Sequence, residues 1–228
     1  MKTALRFVAV LGIFALPGSS AFAEDRDGQW NVRVEVLVVD LPQDKALALL
    51  PDLRDPGKID GAVAQIIDAI NRKQAKLIGY PAVQTLDGQR AVSETVIEKR
   101  YPTEFHSLVP PPPKPGDPQC APGGSPPPGA AIPTAFETRN VGVTLEVEPH
   151  VLQNGDWIHL SIVPQRVILD GIDTYTLGTM QPRFFTAKIT TTITLRNGGR
   201  NLLGFHKLPE PGNLVELFIV QAWDAPVK

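Results

Sequence analysis

Along residues 30–39 the chain alternates, with Trp30, Val32, Val34, Val36 and Val38 facing one way and Asn31, Arg33 and Glu35 the other. A period of two predicts a β-strand with one buried face, and Leu37 and Val39 predict that both faces are covered at its end. A short helix is expected over 43–50, between Pro42 and Pro51. Ile59, Val63, Ile66, Ile67 and Ile70 then form a single helical stripe, with Arg72, Lys73 and Lys76 gathered near its end. That spacing predicts an amphipathic helix over about 59–76, docked through its isoleucines. Strands at 82–86 and 89–101 flank Asp87-Gly88 and read as a hairpin.

From residue 134 onward the pattern is almost entirely β. Val141, Val143, Leu145 and Val147 alternate with Gly142, Thr144, Glu146 and Glu148, and an Asn154-Gly155 turn leads into a strand over 157–163. A Thr-rich, β-branched strand is expected over 185–195, with Ala187, Ile189, Thr191, Ile193 and Leu195 on one face. Further strands are expected around 202–205 and 214–223, the first preceded by Asn197-Gly198-Gly199. The fold class read from this pattern is α+β, mainly antiparallel β-sheet with one amphipathic helix and a Pro-rich insertion.

If Asn154-Gly155 is a two-residue turn, Gln153 pairs with Asp156, Val151 opposes Ile158 and Val147 opposes Ile162, apolar against apolar. The same register sets His150 opposite His159 on the other face. This pair is either a shared metal position, for which a third ligand would be needed, or two solvated histidines. Pro149, opposite Leu160, lacks an N–H for the ladder, so a bulge could shift the register there.

Two segments stand outside the pattern. Residues 1–23 carry Lys2 and Arg6, an apolar run over 7–16, a Pro17-Gly18 break and Ala21-Phe22-Ala23, the organisation of a secretory signal peptide. Export to the periplasm, or to the outer membrane beyond it, is therefore expected. Residues 106–133 hold eleven of the 23 prolines and four of the 19 glycines, with no Phe, Trp or Tyr. Such a segment cannot build a core, and reads as a flexible loop with polyproline II character, either an exposed insertion or a Pro-rich ligand for an aromatic groove. The chain thus divides into a signal peptide (1–23), a strand–helix–hairpin part (24–105), the Pro-rich loop (106–133) and an all-β part (134–228).

Composition narrows the function. A net charge of −2 argues against a basic nucleic-acid surface, and a single cysteine, Cys120, excludes a disulfide framework within the chain and a four-Cys zinc site. Cys120 lies in the Pro-rich loop, as a free thiol or as one half of a disulfide between two chains. There is no Gly-x-Ser-x-Gly elbow, His-Glu-x-x-His, phosphate loop or dinucleotide fingerprint, so no enzyme and no cofactor is expected.

Five stretches, in order, resemble the C-terminal domain of the bacterial secretins, the outer-membrane ring channels of type II and type III secretion and type IV pilus systems. Residues 34–40 (VEVLVVD) are similar to the domain's opening strand, and 80–91 (YPAVQTLDGQRA) to its hairpin. Residues 137–151 (ETRNVGVTLEVEPHV) resemble the family's VGxxLxVxPxI strand through Val141, Gly142, Leu145, Val147 and Pro149. Residues 185–195 (FTAKITTTITL) resemble a further strand, and 197–205 (NGGRNLLGF), with Gly198 and Gly204, the DGxTxxLGGL motif.

The resemblance implies a non-enzymatic protein with a minimal secretin-like domain, part of or accessory to a secretion or pilus system. Its partners would be secretion-system proteins or further copies of itself in a ring. The alternative is a stand-alone periplasmic binding or adaptor module that kept the fold without a channel. Three departures stand out: the motif's second glycine is Phe205, the stretch before the last strand is reduced to 206–212, and no ring domains are expected before this one. Residues 163–184, with Asp170, Gly171, Asp173 and Gly178, are too polar and broken to predict a pair of membrane-spanning strands. A soluble or peripherally bound protein, with no pore of its own, is expected on those grounds.

Overall fold

The computed structural model describes residues 30–107, 131–175, 179–209 and 212–226. The signal-peptide segment and most of the Pro-rich loop, Cys120 included, lie outside the described residues.

The alternating run at the start is strand β1 (Trp30–Pro42), three residues longer than its pattern required. It occupies the middle of a five-stranded antiparallel sheet. Strand β10 (Leu214–Pro226) pairs along one side of it, in unbroken register from Trp30 opposite Pro226 to Pro42 opposite Leu214. Along the other side lie β3 (Ala82–Leu86) and β2 (Lys76–Gly79), and β9 (Arg200–Lys207) continues the sheet beyond β10. Both faces of β1 are covered, as Leu37 and Val39 predicted. Val32, Val34, Val36 and Val38 enter one core, while Leu37, Val39 and Leu41 enter a second under the helices.

Helix α1 (Gln43–Leu53) runs through Pro51, where the pattern placed its end. Pro51 lies in the last turn, where a missing N–H breaks only the bond back to Leu47, and the burial of Leu53 carries the helix past it. Helix α2 (Ile59–Asn71) is shorter than the expected 59–76. Lys73 turns left-handed, and Lys76 to Gly79 straighten to pair with β1. The docked stripe is correspondingly narrower: Ile59, Ala62, Val63 and Ile66 are buried, Ile70 is half-buried, and Ile67 is 48% exposed. Ile66→Ala should therefore cost about 2–5 kcal/mol in chemical denaturation, Ile70→Ala distinctly less, and the exposed Gln65→Ala should be near neutral.

The expected hairpin about Asp87-Gly88 does not form. Strand β3 pairs with β1, whereas β4 (Ala91–Ser107) leaves for a second sheet and pairs with β5 (Ala131–Leu152). A turn dipeptide between two strands reports the reversal but not the partners. Here the crossing between sheets is stitched by Asp87 N–H to the Trp30 carbonyl (3.0 Å), Gly88 N–H to the Pro149 carbonyl (2.8 Å) and Val151 N–H to Asp87 Oδ1 (2.9 Å).

The second sheet runs β4-β5-β6-β7, with β8 also paired to β6. Strand β6 (Trp157–Thr174) runs past the expected end at Val163 and pairs with β7 (Met180–Lys188): Asp170, Gly171 and Asp173 lie within a paired β-hairpin, accommodated by a register shift between Leu169 and Gly171. Two ion pairs from Arg183, to Asp170 (2.7 Å) and Asp173 (3.0 Å), brace its polar positions. The expected single strand over 185–195 is divided into β7 and β8 (Thr191–Arg196), which follow one another along the same edge of β6. The Ile189 N–H bonds the Pro164 carbonyl (3.1 Å) at the break, so the alternation of inward residues survives it.

The register about Asn154-Gly155 is the expected one: Val151 opposes Ile158, Val147 opposes Ile162, and Pro149 faces Leu160 without a shift. The connection is a single 3₁₀ turn over Gln153–Gly155. The inner faces of the two sheets meet in a core built from Val34, Val36, Phe218 and Val220 on one side and Leu145, Leu160, Ile162 and Leu195 on the other. The layers are thus helices, first sheet, second sheet.

Candidate functional site

Strand β4 is the open edge of the second sheet, and its 17 residues outrun the sandwich. Beyond Gly142, strand β5 no longer pairs with β6, while β4 and β5 continue together from Ile97 opposite Val141 to Ser107 opposite Ala131. The result is a two-stranded arm, with the β6–β7 hairpin as a second extension. Arg139 bonds Thr186 Oγ1 (3.1 Å) and lies over the Phe184 ring, and Tyr101 packs edge-tilted on Phe184 with centroids 5.4 Å apart, so the arm rests against β7.

These extensions carry most of the exposed large apolar side chains of the second sheet: Ile97, Ile132 and Phe136 on the arm, Leu169, Ile172 and Met180 on the β6–β7 hairpin. Ile97 is 67% exposed. An unpaired edge with protruding apolar side chains can accept another strand, because pairing satisfies backbone groups and removes that surface from water.

The motif positions of β5 run from the point where the arm leaves the sandwich into its core. Val141 is half-buried, Leu145 and Val147 point into the core, and Pro149 is buried facing Leu160. Gly142 has φ +146°, and a Cβ placed on it would lie 2.1 Å from the Thr95 carbonyl oxygen and 2.9 Å from Val96 Cα. Only glycine lets the two backbones approach this closely. Gly142 also lines a cleft of about 470 Å³ with Gly79, Tyr80, Thr95, Ile97 and Arg166, between the two sheets. Gly204, on β9, is covered by Ile189, so a side chain there would displace the contact between sheets. Gly198 makes the left-handed turn between β8 and β9 at φ +78°.

His150 and His159 oppose one another, as the register required, but each ring turns to different neighbours. His150 lies 3.5 Å from Glu148 and 3.9 Å from Asp87, and His159 Nδ1 lies 3.0 Å from Thr194 Oγ1. Among the described residues, no group of three or more His, Cys, Asp or Glu side chains is placed to hold a metal ion.

Two polar features escaped the pattern. Glu35, buried on the helix side of β1, accepts a short hydrogen bond from the Tyr80 hydroxyl and pairs with Arg33 (2.7 Å). Partial burial and that carboxylate push the Tyr80 hydroxyl up to about 12. The second is a triad on the inner faces of the sheets. Arg166 Nη1 on β6 reaches both Asp40 on β1 (2.8 Å) and Glu216 on β10 (2.6 Å). A single charged residue inside each of three apolar runs was the available signal.

The family model for bacterial type II and III secretion system proteins, the secretins, matches residues 121–204. Over those residues the chain is similar to a secretin domain. The match takes in the arm strand β5, the β6–β7 hairpin, β8 and the first part of β9, Gly204 included. No curated protein sequence matches the chain. Among solved structures, similarity extends to the secretin GspD in an enterotoxigenic E. coli pilotin–secretin complex, at 13% identity and TM-score 0.46 over 87% of this chain and 50% of that one. The Salmonella injectisome secretin InvG gives 12% identity, TM-score 0.44 and 87% against 64%. The Vibrio cholerae competence-pilus secretin PilQ gives 11%, 0.47 and 86% against 61%. The chain thus spans about half to two thirds of the length of these proteins.

Proposed function

We propose that this protein is an exported, non-enzymatic component of a bacterial secretion or pilus system, and that it acts by self-assembly through its secretin domain. The observation that carries this reading is the β4–β5 arm, which presents a long open edge with Ile97, Ile132 and Phe136 exposed beside it. A closed ring satisfies every edge, which an isolated copy cannot do. The β6–β7 hairpin exposes Leu169, Ile172 and Met180, and this supports an outer-membrane location over a purely soluble one. No helix among the described residues is long and apolar enough to cross a membrane, so any crossing would be made by strands.

The full chain, expressed with residues 1–29, should yield an SDS-resistant multimer that stays in the membrane fraction after a carbonate wash. Ile97→Glu places a charge on an already exposed side chain, so the fold should survive while the assembled fraction falls about tenfold or more. A stable monomer in the soluble fraction, unchanged by that substitution, would overturn this reading in favour of an adaptor module.

A further inference from the structure

Asp40 and Glu216 are direct cross-strand partners, and the same register continues to both sides. His206 on β9 is the partner of Glu216, and Lys76 on β2 is the partner of Asp40. Four ionisable residues therefore stand in one row, His206–Glu216–Asp40–Lys76, across β9, β10, β1 and β2. Arg166 descends on the middle of that row from the opposite sheet, while α1 and α2 pack on the other face.

Burial along the row is graded. Lys76 is exposed, the Asp40 side chain is 7% exposed, and Glu216 is fully buried. Both carboxylates draw on the same Arg166 nitrogen, and Glu216 Oε2 has no hydrogen-bond partner. His206 packs its ring against Phe218, with centroids 5.7 Å apart, and makes no ion pair with Glu216 within 4 Å. One guanidinium cannot neutralise two buried carboxylates, and Asp40 has Lys76 at the rim as a second cation. An ionised Glu216 would leave an unsolvated oxygen with no cation of its own.

We propose that Glu216 holds a proton in the folded state and works with Arg166 and Asp40 as a proton-operated latch between the two sheets. The latch is closed when Glu216 is neutral, because the triad then carries one positive and one negative charge. It weakens when Glu216 ionises, because two like charges then face each other across β1 and β10.

Burial raises both carboxyls, and Asp40 is the one that Arg166 and Lys76 together pull back down. Burial raises the Glu216 carboxyl above its ordinary range, only partly offset by Arg166, and the Asp40 charge raises it further. Its stabilisation is complete below the ordinary carboxylate range and is lost as pH rises through the raised value. Burial lowers His206 instead, so its contribution is present above the ordinary imidazole range and is lost as pH falls through the lowered value. The row therefore loosens in both directions, through different residues.

Thermal unfolding of the whole protein and of Glu216→Gln, from about pH 5 to about pH 9, separates the two limbs. The amide cannot ionise, so the variant should gain on the wild type as pH rises, by about 3 °C in Tm for each pKa unit by which Glu216 is raised. His206→Gln should remove only the loss on the acid side. Infrared spectra of the wild type should keep a protonated-carboxyl band above the ordinary carboxylate range, and Glu216→Gln should lack it. In Asp40→Asn, where the facing negative charge is gone, the band should vanish at lower pH. A Tm difference that stays constant with pH would overturn the latch. So would a band that survives Glu216→Gln, or one that disappears from the wild type within the ordinary carboxylate range.

Discussion

Gly142→Ala should come close to abolishing cooperative folding, although it adds one methyl group. The added carbon would lie 2.1 Å from the Thr95 carbonyl oxygen and 2.9 Å from Val96 Cα. These are backbone atoms, so no rotamer change can relieve the contact. The local φ of +146° adds strain for any residue with a side chain. Together the overpacking and the strain should cost about 3–5 kcal/mol, a large part of the roughly 5–15 kcal/mol that holds a domain together. Gly61→Ala is the matched control, because nothing lies within 4 Å of a Cβ placed there on the helix. That change should leave the protein as stable as before, or raise stability by about 0.5–1 kcal/mol. Urea denaturation of the two variants side by side checks both expectations. The damage should also reach assembly, because Gly142 stands where the β4–β5 arm leaves the sandwich.

Removing the guanidinium of the triad should be nearly as severe. Arg166→Met keeps much of the volume and the apolar stem but leaves Asp40 and Glu216 facing each other, buried and without the cation between them. Breaking a buried ion pair from one side typically costs about 3–5 kcal/mol, since the orphaned charge keeps its desolvation penalty. The triple variant Arg166→Met, Asp40→Asn, Glu216→Gln should recover most of that loss, because a neutral row needs no cation. Urea denaturation at neutral pH checks both, and a triple variant no more stable than the single one would mean that Arg166 acts by packing alone. The single variant should be less damaged in mild acid, where Asp40 takes up a proton as Glu216 already has.

The features legible from the residues alone were local and periodic. Alternation over Trp30–Val39 and Val141–Val147 required strands, because a strand with a buried face repeats every two residues. The Ile59, Val63 and Ile66 spacing required a helix for the same kind of reason. Asn154-Gly155 determined a register, since a tight turn leaves only one pairing that sets Val147 against Ile162 and His150 against His159. The secretin resemblance was carried by short motifs such as that of Gly142 and Pro149, although the close approach that requires a glycine at 142 is to Thr95 on another strand.

Which strand lies beside which followed from long-range packing. Asp87-Gly88 looks the same in sequence whether β3 pairs with β4 or, as here, with β1 while β4 joins the other sheet. The long-range pairing of β1 with β10 has no local signature. The extension of β6 past Val163 was not legible, because the charges over 163–184 were counted singly. Arg183 pairs with Asp170 and Asp173 once the hairpin closes, and the cost of placing them in a strand falls accordingly. Asp40, Glu216 and Arg166 lie far apart in sequence, each an unremarked charge in an apolar run. A buried charge can be understood only with its partners, and folding alone brings them together.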